Sequence, residues 1–589
     1  MNNFWKTFFA ALLAFIVGFI IHFFLIFLLI GGLISAASTE TKPLIHNNSL
    51  LKIDLSTITL GERSESNMSN MDIISLAMGQ TGGPTIGIYD AVEAIKSAAT
   101  DPKIKMIYIY SDYSIQSGIA QLEELRDAIA KFRESGKPVV SYGMNYTLGS
   151  YYLASVAGKV YMNEAGNAMI NGLGGNMLFY KDLIDRLGLN VQLIRHGKFK
   201  AAAEQYIASN ISDENREQNE VLLNSIWNVF GTAISTSRSI PIDSLNSKLD
   251  NLELHDAKSM KEAKLVDEIF SPNQFYEKIK DLMEVSSEKD YNIISLLTYS
   301  DALIRKAKKS DKIAILYGDG EITMKGVAGM AAQSFIADIE KIKKDDKIKA
   351  VVFRVNSPGG DAQAAELIRS ELEQLRKVKP VVVSFGEYAA SGGYWVSAEC
   401  DKIFSDKTTV TGSIGVFSLA ISYGNALKKN LNINNATIGT HKHAAMSSGV
   451  NPLSSEEIEY FQKSVENVYT QFTDLVANGR KVSKEYVDSI GQGRVWSGAD
   501  GLNIKLVDQI GGLNDALEYA ANLIEDDSKA ADYKIVQYPL IKTDLESFME
   551  LINGKSNERL IKSLIESYKE NMQGVHIYAR TPYIYKFNY

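Results

Sequence analysis

The chain is poor in cysteine and histidine, two residue types on which many enzyme and metal sites depend. It has a single cysteine, Cys400, among 589 residues, so no disulfide can form within it. This leaves the compartment open, because many proteins of the cell envelope also lack disulfides. Its seven histidines include His196, His441 and His443, and none of these three sits in a recognisable catalytic triad motif. We expect neither a bound metal nor a cofactor.

Positive charge is also scarce. The chain has 62 lysines and arginines against 70 aspartates and glutamates, which gives a formal net charge of −8. No compact run of basic residues offsets that balance. Because binding to nucleic-acid phosphates needs a basic surface, a nucleic-acid partner is excluded.

Charge is absent altogether near the amino terminus, where residues 7–39 are rich in Phe, Leu and Ile. A membrane-spanning helix needs about 20 such residues, so we predict a membrane anchor at residues 1–38. The apolar core of a cleaved signal has only about 7–15 residues, although the small residues 35–38 leave cleavage open. Lys6 precedes the segment, and this weak positive bias places the rest of the chain outside the cytoplasm.

The remainder of the chain repeats itself with an offset of about 240 residues, the length of a domain rather than of a solenoid unit. The repeated stretches are DPKIKMIYIYSD from Asp101 with DDKIKAVVFRVN from Asp345, and KPVVSYG from Lys137 with KPVVVSFG from Lys379. Alignment of the second pair places Ser391 of the second copy opposite Leu148 of the first. Serine can act as a nucleophile and leucine cannot. We therefore expect one reactive repeat and one that serves as scaffold.

Strand and helix patterns alternate in both copies, which predicts an α/β fold of stacked parallel βαβ units. The predicted strands are 49–55, 106–109 and 139–142 in the first copy and 312–317, 350–355 and 381–385 in the second. The predicted helices are 91–99, 121–132, 335–342 and 364–375. The predicted domains are an anchor at 1–38, a first repeat at 49–284, a connecting segment at 285–310, a second repeat at 311–525 and a C-terminal tail at 526–589, to which no motif assigns chemistry.

Three stretches of small residues in the second repeat indicate chemistry when taken together. The turn after Arg354 reads NSPGG, and the paired backbone N–H groups of Gly359 and Gly360 are suited to stabilising an oxyanion. The stretch AASGGYW presents Ser391 at a strand-to-helix turn, where the amide of Gly392 adds a donor. The third stretch, TGSIG, contains Ser413 and can line the same cavity.

A serine nucleophile needs a base, and lysine is a candidate only when it is neutral. Its pKa must then fall well below the ordinary value of about 10.4, which requires burial among apolar groups. The stretch HGKFKAAA, which contains Lys198 and Lys200, fits this requirement.

On the stretches NSPGGD, AASGGYW, TGSIGV and GRVWSGADGLNIKLVDQIGGL, the chain resembles the signal peptide peptidase A family in its long, duplicated, membrane-anchored form. The resemblance covers residues from the anchor to about Leu523. It implies a crotonase-like fold related to the Clp protease subunit, and peptide hydrolysis by a serine–lysine pair. The family serine falls on Ser391. In the long form the lysine comes from the first repeat and falls on Lys200, whereas short members carry a motif matched by residues 439–442, which leaves Lys442 as the alternative.

The same resemblance implies partners and a location. The substrates would be remnant signal peptides and other apolar unfolded peptides, and the chain would form a homotetramer at the bacterial inner membrane with its catalytic body on the periplasmic side. Ser413 would orient Lys200, while Tyr394, Trp395 and Phe417 would wall the peptide site. The first repeat lacks the Pro-Gly-Gly turn and should have no working site.

Two other classes of function remain open from the sequence. Crotonase-like folds also serve acyl-CoA enzymes, and fold does not determine function. A catalytically silent membrane scaffold is the third reading. Neither predicts a reactive serine, so the reactivity of Ser391 discriminates among them.

Overall fold

The computed structural model describes residues 43–64, 83–112, 115, 117–326, 329–540 and 576–581, together with the isolated positions 8, 15 and 18. Apart from those three positions, the predicted anchor at 1–38 lies outside the described residues. Among the residues that are described, no helix is long and apolar enough to cross a membrane.

The first repeat builds a sheet of six parallel strands, in the order β10-β7-β5-β4-β1-β11. The strands are β1 (Ser49–Asp54), β2 (Thr59–Gly61), β3 (Thr85–Gly87), β4 (Ile104–Ser111), β5 (Val139–Gly143), β6 (Tyr146–Thr147), β7 (Lys159–Met162), β8 (Ala168–Met169), β9 (Asn190–His196), β10 (Glu268–Ile269) and β11 (Asn292–Ser295). The helices are α1 (Ile88–Thr100), α2 (Ile119–Arg133), α3 (Leu148–Ala154), α4 (Lys181–Leu187), α5 (Glu204–Ile207), α6 (Asp213–Arg238), α7 (Ile242–Asp250), α8 (Ala257–Glu262), α9 (Pro272–Met283) and α10 (Leu296–Ala302).

The second repeat builds a matching sheet with the main order β21-β19-β17-β15-β12-β23, from which β18 and β22 branch at β17. Its strands are β12 (Lys312–Asp319), β13 (Ile322–Thr323), β14 (Met330–Ala331), β15 (Ile348–Ser357), β16 (Gly359–Asp361), β17 (Val381–Ala390), β18 (Lys402–Ser405), β19 (Val410–Gly412), β20 (Val416–Ser422), β21 (Val495–Ser497) and β22 (Gln509–Ile510), followed in the tail by β23 (Lys534–Tyr538) and β24 (His576–Arg580). Its helices are α11 (Ala332–Lys344), α12 (Ala362–Arg376), α13 (Gly392–Trp395), α14 (Gly424–Leu431), α15 (Ser455–Arg480), α16 (Lys484–Ile490), α17 (Gly498–Asn503) and α18 (Leu513–Ile524).

The alternation of strand and helix predicted for both copies is confirmed, as is the parallel arrangement of the paired strands. The strands read as continuous apolar runs because helices cover the sheet on both faces. In β15, Val351, Val352 and Phe353 have no exposed surface. In α1, Ala91, Ala94 and Ile95 form the buried stripe that an amphipathic helix presents to a core.

Both sheets are completed by segments in which the sequence analysis predicted no strand. The connecting segment contributes β11, which pairs in parallel with β1, and the C-terminal tail contributes β23, which pairs in parallel with β12. The two repeats therefore gain equivalent edge strands from the segments that follow them. Each is only four or five residues long, which is too short for periodicity to reveal. The predicted domain boundaries stay a prediction.

A third sheet joins the two repeats, in the order β14-β13-β16-β24-β20-β9. Strand β9 of the first repeat runs antiparallel to β20 of the second, from the pair Asn190–Ser422 to the pair His196–Val416. The chain that follows β9 is therefore carried into the second repeat.

A buried charged network also holds the repeats together. Arg354, in the second half of β15, lies 2.6 Å from a carboxylate oxygen of Glu62 and 2.7 Å from one of Glu124. Nearby, the backbone N–H of Ala120 donates to the carboxylate of Glu387 at 2.9 Å. The two ion pairs tie β15 to the first repeat, because loss of one partner would leave a buried charge uncompensated, and the third contact ties β17 to it.

Candidate active site

Ser391 lies at the turn where β17 passes into α13. Its backbone has φ of 56° and ψ of −115°, a conformation that residues other than glycine rarely adopt. Its N–H donates to the carbonyl of Gly412 at 2.8 Å, which ties the turn to β19. Backbone strain of this kind costs about 1–3 kcal/mol and occurs preferentially at functional sites. The turn places the hydroxyl in a pocket without solvent exposure.

Lys200 is the amine that meets this hydroxyl, although 191 residues separate the two in sequence. Its Nζ lies 2.7 Å from Ser391 Oγ and 3.0 Å from both the carbonyl oxygen and the Oγ of Ser413. The pairing of β9 with β20 brings Lys200 there, four residues beyond the end of β9. The structure thus brings together Ser391, Lys200 and Ser413, three of the residues that the sequence analysis singled out.

The surroundings of Lys200 favour its uncharged form. The side chain is completely buried, and burial lowers the pKa of Lys200 well below its ordinary value. A neutral amine has two N–H bonds and one lone pair. The two N–H bonds match the two oxygens of Ser413, and the lone pair is left to accept the hydroxyl proton of Ser391.

Close backbone packing holds Lys200 in place. The N–H of Phe199 donates to the carbonyl of Gln492 at 2.9 Å, and the guanidinium of Arg195 donates to the carbonyl of Lys200 at 3.0 Å. Gly493 lies directly against the lysine: a methyl group added there would lie 2.6 Å from Lys200 Cβ. Gly493 therefore packs directly against the lysine side chain.

The three glycines predicted for the oxyanion site converge beside Ser391. Gly359 has φ of 96°, and its N–H donates to Ser357 Oγ at 3.2 Å. A methyl group on Gly359 would lie 2.7 Å from the amide nitrogen of Gly392, and one on Gly392 would lie 3.2 Å from the amide nitrogen of Gly360. Only glycine permits such an approach of two backbone turns.

The rival bases have other partners. Lys442 is exposed and forms an ion pair with Glu456, while exposed Lys198 lies over the ring of Phe199 at 4.9 Å. The imidazole of His196 lies 2.6 Å from the carboxylate of Glu466. Exposed His441 contacts Thr440, and His443 contacts Glu457.

Among the residues that the structure describes, the place in the first repeat that matches Ser391 holds a leucine. Leu148 begins α3 and is packed in the core. Ser111 donates through its hydroxyl to the carbonyl of Asn145 at 3.0 Å, and the amide of Asn145 donates to Asp112 at 2.8 Å. These groups hold the turn together.

The peptide-site walls expected from the sequence need a correction. Tyr394 is buried and donates to the carbonyl of Leu506, and buried Trp395 packs against Phe472, because α13 turns both rings towards the core. The third expected wall, Phe417, stacks on the ring of Tyr578 in β24, a strand of the same chain. Sequence reasoning did not identify β24 at this site. Its single signal is the short alternating stretch HIYAR.

The chain is similar to several known proteins. The sequence model of Peptidase family S49 matches residues 131–286 and 373–526, one segment in each repeat. Protease 4 of Haemophilus influenzae is 32% identical over 497 residues, which cover 81% of this chain and 80% of that protein. The chloroplastic serine protease SPPA of Arabidopsis thaliana is 30% identical over 438 residues, covering 73% of this chain and 64% of that protein. A solved structure of a ClpP1 mutant from Listeria monocytogenes aligns with 34% of this chain and 93% of its own at 16% identity, with a TM-score of 0.23.

Proposed function

Since the chain belongs to Peptidase family S49 and is a serine protease, we propose that Ser391 is its nucleophile and Lys200 its general base. One observation carries this proposal: a fully buried amine whose pKa is lowered by burial lies 2.7 Å from the hydroxyl of Ser391. A base must be within hydrogen-bond reach of the proton that it abstracts, and it must be unprotonated at the working pH.

The chemistry proceeds in two stages. Ser391 Oγ attacks the scissile carbonyl carbon as its proton passes to Lys200 Nζ, and the tetrahedral oxyanion is held by amides of Gly359, Gly360 and Gly392. The ammonium then gives its proton to the leaving amine, which leaves an acyl ester on Ser391. Water then attacks the ester while Lys200 takes a proton from it, and Lys200 returns this proton to Ser391 Oγ as the acid product leaves. Ser413 acts through Lys200 as a positioning residue, since it holds both N–H bonds of the amine.

A fluorophosphonate probe tests the assignment of the nucleophile. We expect the probe to label Ser391, as located by peptide mapping, and labelling to be lost in Ser391→Ala. An acyl-CoA enzyme and a silent scaffold, the two alternatives from the sequence, would not react at this position. Labelling at another residue, or undiminished labelling of the alanine variant, would refute the assignment.

We further propose that the substrates are remnant signal peptides and other apolar, unfolded peptides. The resemblance to the signal peptide peptidase A family supports this, as does the uncharged stretch at residues 7–39, which would hold the enzyme at the bacterial inner membrane with its catalytic body on the periplasmic side. The test offers the purified enzyme a synthetic signal peptide beside a folded protein of similar composition. We expect cleavage within the apolar core of the peptide; rapid digestion of the folded protein would contradict the proposal.

The assembly proposed is a homotetrameric ring of crotonase-like repeats. Its support is the way in which one repeat completes the site of the next: β9 of the first repeat pairs with β20 of the second and delivers Lys200 to it. A contact of this head-to-tail kind repeats from copy to copy until the rotation closes a ring. Sedimentation of the detergent-solubilised enzyme measures the subunit count. A stable, fully active monomer would contradict the ring.

A further inference from the structure

Strand β24, near the end of the chain, fills a gap in the sheet beside the candidate active site. It runs antiparallel to β16 on one side and to β20 on the other. Strand β16 contains the glycine turn, and β20 is the strand that pairs with β9. Without β24, the edges of β16 and β20 would face each other across a groove one strand wide.

The position of β24 in this groove is set by backbone pairing on both sides. Gly360 pairs with Ala579 and Phe417 pairs with Tyr578. The N–H of Thr581 donates to the carbonyl of Pro358 at 2.7 Å. Pairing through the main chain accepts many sequences, which is how strand addition binds extended peptides of varied composition.

The backbone of β24 also reaches the proposed oxyanion site. The carbonyl oxygen of Ala579 lies where a side chain of Gly359 would start: a methyl group there would be 2.1 Å from it, and one on Gly392 would be 3.0 Å from it. A peptide carbonyl therefore already lies against the glycines that would receive a scissile carbonyl. Ala579, Lys200 and Ser391 all have zero exposure, so the dyad is closed off from solvent.

Side chains of β24 alternate between two kinds of contact. The ring of Tyr578 stacks on Phe417 with centroids 5.5 Å apart, and the guanidinium of Arg580 lies 3.3 Å from the carboxylate of Glu321. Ile577 packs against the apolar cluster of the third sheet. The place of Ala579 has no exposed surface and admits only a small side chain.

We propose that residues 576–581 are a resident occupant of the peptide-binding groove between β16 and β20, lying where an extended substrate lies during cleavage. A substrate must displace them to reach Ser391, so the chain restrains its own activity. Phe417 and Glu321 are then specificity residues that meet an aromatic and a basic side chain of a bound peptide. This inference rests on the proposed function, because it takes Ser391 and the glycine turn as the reacting centre.

The test measures binding rather than cleavage. A fluorescent peptide with the sequence HIYART is titrated into full-length chains that carry Ser391→Ala, and affinity is read by anisotropy. Ala579→Trp introduces a ring that the closed position cannot hold, and should free the groove. If β24 occupies the groove in nine of ten molecules, freeing it tightens binding of the added peptide about tenfold. Equal affinity with and without Ala579→Trp would overturn the proposal.

Two further variants separate occupancy from general disturbance of the fold. Ala531→Trp places the same ring at an exposed position of the tail, and should leave affinity unchanged. Arg580→Glu places a second carboxylate beside that of Glu321, and the repulsion should also free the groove. The variant should therefore bind HIYART more tightly than the parent does. The gain should be smaller for a peptide that carries glutamate at its fifth position. Adding Glu321→Arg to Arg580→Glu should restore the resident strand and weaken again the binding of a peptide with uncharged glutamine at its fifth position; failure of this rescue would count against the proposed register. Because none of these measurements needs a working dyad, failure of the catalytic assignment would appear only in the fluorophosphonate experiment.

Discussion

Replacement of Lys200 by methionine is the most direct perturbation of the proposed dyad. Methionine keeps the length and apolar stem of the side chain but removes the amine 2.7 Å from Ser391 Oγ. A positioned general base contributes about 10²–10⁴ in rate. At about 1.4 kcal/mol for each tenfold change, this corresponds to about 3–5.5 kcal/mol of lost transition-state stabilisation. We therefore expect kcat/KM to fall by that factor, mainly through kcat.

Stability should change in the opposite direction. Burial holds Lys200 neutral in the folded state, while the unfolded chain binds a proton at this lysine up to its ordinary pKa. The native protein therefore loses stability as the pH falls below the ordinary lysine pKa, and regains it as the pH rises. Methionine does not titrate, so Lys200→Met should be at least as stable as the parent chain at neutral pH. Denaturant unfolding at several pH values measures this, and excludes unfolding as the cause of lost activity.

The assay is hydrolysis of a fluorogenic peptide across a pH series. Activity of the parent chain should rise with pH through the lowered pKa of Lys200, since the neutral amine is the active form. Lys442→Met is the matched control, because that exposed lysine pairs with Glu456 instead. Full activity in Lys200→Met, loss of activity in Lys442→Met, or a parent profile without an acidic limb would refute the reasoning.

Three other substitutions probe the surroundings of the dyad. Ser413→Ala removes the hydroxyl oxygen that lies 3.0 Å from Lys200 Nζ and stabilises the charged form of the amine. We expect kcat to fall without a matching change in KM, and the acidic limb of the pH profile to move to lower pH. An unmoved limb would contradict a positioning role. Gly493→Ala places a methyl group 2.6 Å from Lys200 Cβ and should abolish peptide cleavage, whereas Gly136→Ala, at a similar positive φ in open space, should cost only backbone strain and keep activity. Burial raises the pKa of Glu387 to about 7, so its contribution to stability is complete below the ordinary pKa and disappears as the pH rises through about 7. Glu387→Gln should therefore match the parent in acid and exceed it by about 3 kcal/mol in unfolding free energy above pH 7, and equal stability at both pH values would contradict this.

Much of the fold, and the residue proposed as nucleophile, could be predicted from the sequence, because the signals are local. A buried parallel strand must be a run of apolar residues, and β12, β15 and β17 were predicted on that ground. The turn that contains Ser391 is contiguous in sequence, and its glycines indicate that another backbone segment approaches it closely. The loss of the nucleophile in the other repeat, at Leu148, needed only an alignment of the chain with itself.

The resemblance favoured Lys200 and left Lys442 as the alternative, and only the tertiary structure shows which lysine lies beside the serine. Lys200 and Lys442 occupy similar positions in their repeats, and composition does not distinguish them. The antiparallel pairing of β9 with β20 buries Lys200 beside Ser391, while Lys442 stays in solvent. Strand β24 could not be predicted from the sequence for the same reason, because its five residues form a strand by pairing with the edges of β16 and β20. Local patterns determine which residues form a strand, but strand pairing across hundreds of residues depends on which edges the folded chain leaves open.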